Sequence, residues 1–399
     1  MQKALFAGPR RLVALFLPAI ASWSAACAAQ PVQPTPSEKS AIDRARDMMV
    51  AAKFSRVTYT KEFDLGALPE YVPETTVSGT IRMRGANYFT DSPLAGYWVE
   101  EFRKWHPDVK FDLQLRSSQH AISSLIYGVS DISPLGRAIT NAERLAFQRE
   151  FQYQPLGVIA VTGSHSLNGW NPATAIYVHK SNPLTSISME QLDGVFGAQR
   201  TGGWPMLDWD TSMARGPEKN IRRWGQLGVR GALSSKPIRV FGYTLKYNFP
   251  DEMHNKVFGF SFKWNEALEE YGNKVAADGS LYIAGQQMMD DLAKTPDAIA
   301  YITGSLDKID PNVKVLPIVP GPGEAPVWPT LENIQNRSYP LAAEVFFYMN
   351  RKPGTPLDPM VREFMRYVFS RQGQMQVMRD GKYLPLTAEL AEQGRKALD

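Results

Sequence analysis

Three polar loops follow segments that alternate like β-strands, and they hold the residues best suited to bind a ligand. They span residues 85–88, 117–120 and 243–248. In open α/β sheets, ligands bind beyond the carboxyl ends of strands, where helix N-termini offer free N–H groups and partial positive charge. The sequence therefore predicts a site for a small polar or anionic ligand. Its candidate residues are Ala86, Asn87, Tyr88, Ser117, Ser118, Gln119, Tyr243, Thr244, Lys246, Tyr247 and Asn248.

Motifs for catalysis or cofactor binding do not accompany these loops. The sequence has no G-x-S-x-G elbow, P-loop, G-x-G-x-x-G or H-E-x-x-H, and residues 321–323 (GPG) read as a turn. Ser164 and His165 are chain neighbours, which is poor support for a nucleophile and its base. We therefore expect a binding protein rather than an enzyme, with no catalytic residues, metal or cofactor.

Composition and charge restrict the class of protein further. The 399 residues are 44% hydrophobic and 21% charged, which is typical of a soluble globular protein of two or three folding units. One cysteine excludes a disulfide scaffold. A net charge of +4 is too dilute for a nucleic-acid surface. No apolar run of about 18 residues follows residue 30, so the sequence predicts no membrane span there.

The N-terminus has the pattern of a secretory signal peptide. Lys3, Arg10 and Arg11 precede an apolar run at 12–21, and small residues allow cleavage after Ala28 or Ala29. Residues 1–29 are thus predicted to be removed on export to the periplasm or beyond. The arginine pair leaves twin-arginine export open beside ordinary secretion.

Cys27 allows a second interpretation of the same segment. Ala25 and Ala26 before it suit a lipoprotein cleavage site, although Ser24 replaces the usual aliphatic residue. Acylation of Cys27 would anchor the mature protein to a membrane. Otherwise Cys27 is discarded with the signal peptide.

The rest of the chain alternates strand-like and helix-like segments. Residues 30–36 (QPVQPTP) predict an extended tether, and a capping-box pattern at 35–38 predicts a short helix through about Lys53. From about Val77, strands such as TIRMRG, VKFDLQL and TAIYVHK alternate with helices such as SMEQLDGVFG, FSFKWNEALEEYG and GQQMMDDLAKT. This order predicts an α/β fold of mixed, mostly parallel sheets flanked by helices.

Several motifs resemble the periplasmic phosphate-binding proteins of ABC transporters. The most specific are HKSNPL at 179–184, QLD at 191–193 with VF at 195–196, and SRQGQ at 370–374 with YLPL at 383–386. The similarity runs from about Gly79 to Leu386 in the family's order.

The resemblance implies a type II solute-binding fold, in which two lobes close on a ligand. Lobe 1 would comprise 77–165 and 303–390, lobe 2 would comprise 166–302, and residues 30–76 would be the tether and short helix. The chain would cross between the lobes near residues 158–164 and 301–303.

The resemblance also implies roles for individual residues. Asp131 matches the position of an aspartate that accepts a phosphate proton, Ser117 and Ser118 match a serine loop, and Arg137 matches a basic position. The third loop departs from the family because Asn248 replaces a glycine and Lys246 is the nearest substitute for an arginine. Lysine lacks the bidentate fork of arginine, so this exchange weakens the case for phosphate.

The function expected from these features is capture of a small anion, phosphate or a related oxyanion, for an ABC permease at the inner membrane. The protein would act as a monomer and bind no nucleic acid. One alternative is a secreted binding or sensor module with a degraded phosphate site. Tyr88, Tyr243 and Tyr247 would then form a wall for a larger organic ligand, or simply pack at the cleft lip.

The segment from Arg200 to Arg223 is predicted to be a surface insertion, either decorative or a partner contact.

Overall fold

The computed structural model describes residues 44, 48, 58–167 and 169–399. The predicted signal peptide, the tether through residue 36 and all but two residues of the predicted short helix lie outside this part of the chain. Within the described residues, no helix is long and apolar enough to span a membrane.

Strands and helices alternate along the described chain, which confirms the predicted α/β class. The strands are β1 (Gly79–Gly85), β2 (Val109–Leu115), β3 (Ser133–Leu135), β4 (Leu156–Thr162), β5 (Thr174–His179), β6 (Ile187–Ser188), β7 (Arg239–Tyr243), β8 (Leu268–Tyr271), β9 (Lys274–Val275), β10 (Leu281–Tyr282), β11 (Ala298–Thr303), β12 (Val313–Leu316), β13 (Ile318–Val319) and β14 (Glu344–Met349).

Several helices begin at residues whose side chains cap them. Thr140 and Ser188 each form a capping box, and Asp358 accepts from two backbone N–H groups. The helices are α1 (Tyr88–Asp91), α2 (Leu94–Phe102), α3 (Ala121–Ile126), α4 (Asn141–Phe151), α5 (Met189–Phe196), α6 (Pro250–Lys256), α7 (Ala284–Leu292), α8 (Leu331–Gln335), α9 (Pro359–Val368), α10 (Arg371–Asp380) and α11 (Ala388–Lys396).

Lobe 1 is built on two small sheets. β1 and β2 pair in parallel, while β14 lies between β3 and β4 and is antiparallel to both. Helices α2 and α10 pack beside them, and the buried Trp98 donates its indole N–H to the Gly373 carbonyl at 2.9 Å. A large aromatic core therefore ties the first and last parts of the chain together.

Lobe 2 contains a five-stranded sheet in the order β12-β5-β11-β7-β8. β5 runs antiparallel to β11 and β12, whereas β7 is parallel to β11 and β8. All but the last residue of β5 and of β11 is buried, as expected for strands covered on both faces.

The predicted lobe bounds stay a prediction, but packing and pairing favour shifting them. Leu65, Leu68 and Tyr71 are buried in the core of lobe 1, ahead of the predicted start at Val77. β12 and β13 pair with β5 and β6, so residues 304–341 go with lobe 2 rather than lobe 1. We propose 58–162 plus 344–399 for lobe 1 and 174–341 for lobe 2. The crossings then lie at 163–173 and 342–343 instead of near 301–303.

One predicted helix is wrong. The segment FSFKWNEALEEYG at 260–272 forms an irregular stretch followed by β8, which pairs in parallel with β7. Gly259 and Phe260 both have positive φ, of 57° and 60°, and this left-handed backbone breaks a helix at its start. Pairing at the open sheet edge then determines the conformation of 268–271.

The segment from Arg200 to Arg223 forms a loop whose two sides pair at the base. Arg200 and Arg215 exchange backbone hydrogen bonds of 2.9 Å, and the Asp193 carboxylate holds both side chains. The rings of Trp204 and Trp209 lie 5.4 Å apart. The loop is therefore an ordered feature of lobe 2.

Asp380 provides a test of how lobe 1 is packed. Burial raises the pKa of its carboxyl to about 6, against opposing effects of Ser92 and Lys382. Because the folded-state pKa exceeds the unfolded one, the stability contribution is complete below about pH 4 and is lost as pH rises to about 6. In wild type this loss amounts to about 3 kcal/mol of unfolding free energy across that window. We expect it to be absent in Asp380→Asn.

The measurement is urea unfolding between about pH 4 and pH 8 for wild type and variant. The exposed Asp208 supplies a matched control, and Asp208→Asn should keep the wild-type step. An unchanged step in Asp380→Asn would contradict the assignment.

Candidate functional site

A cleft of about 130 Å³ lies where the two lobes meet, and both lobes contribute to its walls. Lobe 1 contributes polar groups from the loops after β2 and β3, and lobe 2 contributes the start of α6. The crossing segments form its floor. The lining residues are Tyr88, Ser118, Gly136, Arg137, Gly169, Asn171, Pro172, Asn248, Phe249, Glu252, Thr303 and Ala343.

Ser118 reaches the cleft because the chain turns sharply after β2. The Ser117 hydroxyl accepts from the Gln119 N–H at 3.2 Å and starts a short 3₁₀ turn, Ser118–His120. The Gly136 N–H donates to the Ser118 hydroxyl over a long 3.5 Å. A bond of that length is weak, so both groups remain available to a bound oxygen atom.

Gly136 keeps this part of the cleft open. A Cβ atom there would lie 3.1 Å from the Tyr88 ring and 3.4 Å from the Asn171 side-chain oxygen. Any side chain at 136 would therefore occupy the space between Tyr88 and Asn171.

Arg137 is the cation in the lobe 1 wall of the cleft. The residue is 8% exposed, and its guanidinium bonds both oxygens of Glu143, at 2.8 and 3.0 Å. Burial alone would raise the pKa of the Glu143 carboxyl, but Arg137 and Thr140 outweigh it and hold that pKa below its usual value. The pair is thus ionised and fixed in direction.

The Nε–H of Arg137 takes no part in the ion pair with Glu143. It is buried and makes no hydrogen bond, and the nearest carboxylate oxygen of Asp251 in lobe 2 is 3.8 Å away. A buried donor without a partner costs free energy. The arrangement therefore favours a bound acceptor beside Arg137.

Lobe 2 contributes the residues around the start of α6. Asn248 and Phe249 line the cleft just before Pro250 begins the helix, and Glu252 follows in its first turn. Lys256, one turn later, lies 3.4 Å from Glu252 and 3.5 Å from Glu344 at the start of β14. This wall thus carries an amide, an aromatic ring and a carboxylate backed by a shared lysine.

Of the residues predicted from sequence, the structure brings Tyr88, Ser118, Arg137 and Asn248 to the cleft. It does not bring Asp131 there. Both carboxylate oxygens of Asp131 bond Arg82, at 2.5 to 3.1 Å, and the pair lines a separate depression beside Gly128.

The other residues of the first two loops are engaged elsewhere. The Ala86 N–H donates to the Pro134 carbonyl at 2.9 Å, and Asn87 donates to Asp91 at 2.6 Å. Ser117 caps the turn described above, and Gln119 is exposed. None of these four lines the cleft.

In the third loop, only Asn248 lines the cleft. Tyr243 is buried, its hydroxyl accepts from the Thr303 N–H at 3.0 Å, and burial raises its pKa to about 12. The Thr244 N–H donates to the Tyr271 carbonyl, and the Tyr247 hydroxyl accepts from the Asn273 N–H. Lys246 is exposed.

Several lining residues carry no local signal in the sequence. Asn171, Pro172 and Ala343 enter the site because two chain crossings meet there, which no local pattern indicates. Glu252 had a weak signal, since it lies in the first helical turn after a predicted ligand loop.

The surroundings of Ser164 and His165 and the grouping of possible metal ligands can also be described. Ser164 donates to the Leu167 carbonyl and His165 bonds the Pro329 carbonyl, so they do not form a nucleophile–base pair. Within the described residues, no three His, Cys, Asp or Glu side chains are grouped to hold a metal ion.

Known proteins resemble this chain over most of its length. A domain described as "PBP superfamily domain" matches residues 72–372. Phosphate-binding protein PstS of Pseudomonas aeruginosa (strain UCBPP-PA14) is 30% identical over 339 residues, which cover 83% of this chain and 91% of that protein. Protein SphX of Synechococcus elongatus is 23% identical over 302 residues, covering 74% and 75%. A crystal structure of PstS from Borrelia burgdorferi is 16% identical, with a TM-score of 0.49, covering 78% of this chain and 100% of that one.

Glu143 tests whether Arg137 is fixed as described. Glu143→Gln leaves a buried guanidinium without its charged partner, and we expect the free energy of unfolding to fall by about 3 kcal/mol. Urea unfolding at neutral pH measures the change. Glu190→Gln removes the partner of the exposed Lys219 and should have a far smaller effect. Equal losses in the two variants would show that burial of the Arg137 pair has no special role.

Proposed function

This chain belongs to the PBP superfamily, and on that premise we propose that it captures inorganic phosphate or a related oxyanion in the cleft for delivery to an ABC importer. The domain match over residues 72–372 and the 30% identical relative confirm, at the level of the family, the resemblance that the motifs indicated. What supports phosphate as the ligand is the 30% identity to a phosphate-binding protein over 83% of the chain.

The observation that carries the proposal is the state of Arg137. A buried, ionised guanidinium lines the cleft, and its Nε–H makes no hydrogen bond. The Ser118 hydroxyl and the Gly136 N–H, joined only by their long 3.5 Å bond, lie in the same wall. Several donors around little net positive charge suit an oxyanion, whose oxygens each accept more than one bond.

Closure would bring the second lobe onto the anion. Asn248 faces the cleft from lobe 2, where its side-chain amide can donate to an oxygen atom that lobe 1 holds. Asn141 of lobe 1 donates to the Trp204 carbonyl of lobe 2 at 2.9 Å, so the lobes already meet beside the cleft. Hinge bending at the crossings is the motion that would open it.

Export and partnership complete the proposal. We infer that the N-terminal segment directs the chain to the periplasm, where it acts as a monomer and docks on an inner-membrane permease. No reaction is proposed for the cleft. Asp131, paired with Arg82 outside the cleft, is left out of the proposed site, which comprises Tyr88, Ser118, Gly136, Arg137 and Asn248.

Titration of the purified protein with inorganic phosphate by isothermal calorimetry tests this function. We expect saturable binding, weakened on the order of tenfold in Ser118→Ala and in Asn248→Ala, because each change removes a donor to a charged ligand. Asp131→Asn and Lys246→Ala, which alter polar residues outside the cleft, should bind like wild type.

Two results would refute the proposal. One is a folded protein that gives no heat with phosphate. The other is a loss of affinity in Asp131→Asn as large as the loss in Ser118→Ala, because it would place the anion outside the cleft.

A further inference from the structure

Glu252 is a carboxylate in the wall of the cleft that its neighbours do not neutralise completely. Its side chain is 20% accessible, and Glu252 lines the cleft. Lys256 approaches its Oε2 to 3.4 Å, but that oxygen accepts no well-directed hydrogen bond. The contact is therefore a loose ion pair.

Lys256 is also shared with other acceptors. Its ammonium donates to the Ala342 carbonyl of the second crossing and lies 3.5 Å from Glu344. Arg337 is the only other cation near Glu344 among the described residues, at 4.0 Å. The charge of Lys256 is thus divided between Glu252 and Glu344.

The remaining charged groups near Glu252 add no free cation. Asp251, its neighbour on α6, lies 3.8 Å from Arg137 and 3.7 Å from His254 Nδ1. Arg137 is already bonded to Glu143 on both oxygens. In this cluster the cations are Arg137, Lys256 and Arg337, and the carboxylates are Glu143, Asp251, Glu252 and Glu344.

Burial favours the protonated form of Glu252, as does the excess of carboxylates over cations in this cluster. It raises the pKa of the Glu252 carboxyl above its usual value. Lys256 opposes that shift, whereas Glu344 and Asp251 add to it. The carboxyl is consequently easier to protonate than one on the surface.

We propose, resting on the function proposed above, that Glu252 couples oxyanion binding in the cleft to the uptake of one proton. A doubly charged oxyanion beside an ionised carboxylate places like charges together where little water screens them. A proton from solvent removes the conflict by forming an O–H···O bond between Glu252 and a ligand oxygen. The proton belongs to the pair, and no covalent bond of the oxyanion breaks.

This coupling sets the direction of the pH dependence. Because a proton enters with the ligand, raising the pH above the pKa of free Glu252 weakens binding of the dianion. The fall approaches tenfold per pH unit for one proton. Glu252 is thereby a specificity-determining residue that favours ligands able to share a proton.

Calorimetry with inorganic phosphate at about pH 8.5, in buffers of different ionisation enthalpy, counts the protons taken up. We expect about one proton for wild type and close to none for Glu252→Gln, which keeps the shape of the side chain. Glu324→Gln makes the same exchange on an exposed surface turn and should keep the wild-type value.

Each outcome decides a separate point. Phosphate binding without buffer dependence in wild type overturns the coupling and leaves the proposed function intact. Uptake that persists in Glu252→Gln also overturns it, because another group then supplies the effect. If Glu252→Gln does not fold, the wild-type count and its tenfold fall per pH unit remain the test, and their absence overturns the coupling. A wild-type protein that binds no phosphate overturns the proposed function together with this inference.

Discussion

The close approach of two backbone segments between the lobes is the constraint on which the cleft depends. The Gly163 N–H donates to the Ala343 carbonyl at 2.8 Å, and the Thr174 N–H donates to the Leu341 carbonyl at 3.1 Å. A Cβ atom at Gly163 would lie 2.2 Å from the Asn171 carbonyl oxygen of its own crossing and 2.8 Å from the Ala343 Cβ of the other, so only glycine permits this contact. The two crossings thus lie side by side, and Asn171, Pro172 and Ala343 from them form the floor of the cleft.

The same geometry determines where the charged side chains lie around the cleft. The cations Arg137 and Lys256 approach the cleft from opposite lobes, and carboxylates hold each of them in place. Lys256 also bonds Ala342, so the charge in lobe 2 is tied to the crossing itself. A site built this way offers donors without excess positive charge, which makes the protonation state of its carboxylates part of how it binds.

The sequence predicted elements better than it predicted connections. Alternating runs such as TIRMRG and VKFDLQL become β1 and β2, because their patterns suit one buried face. Pairing of distant segments has no local signature. β12 pairs with β5 of lobe 2, so the crossing that we propose at 342–343 lies about forty residues after the one predicted near 301–303.

Site residues show the same limit on a smaller scale. The second and third predicted loops each bring one residue, Ser118 and Asn248, to the wall of the cleft. The direction of each side chain depends on its bonding partner, which the local sequence pattern does not identify. Asp131 turns to Arg82, 49 positions away, whereas Arg137, six positions after Asp131, reaches the cleft because Glu143 fixes it there.

The third loop shows how the two lobes divide the work of binding. Lys246 is exposed and Tyr243 is buried in the core of lobe 2, so neither replaces the arginine that the family resemblance implies at this loop. In the proposed site the cationic contact comes instead from Arg137 in lobe 1, while α6 presents Asn248, Phe249 and Glu252. An anion held by lobe 1 would then meet an amide and a carboxyl on closure. Because an ionised carboxyl repels a bare dianion and bonds a protonated one, closure of lobe 2 would respond to the protonation state of the ligand as well as to its shape.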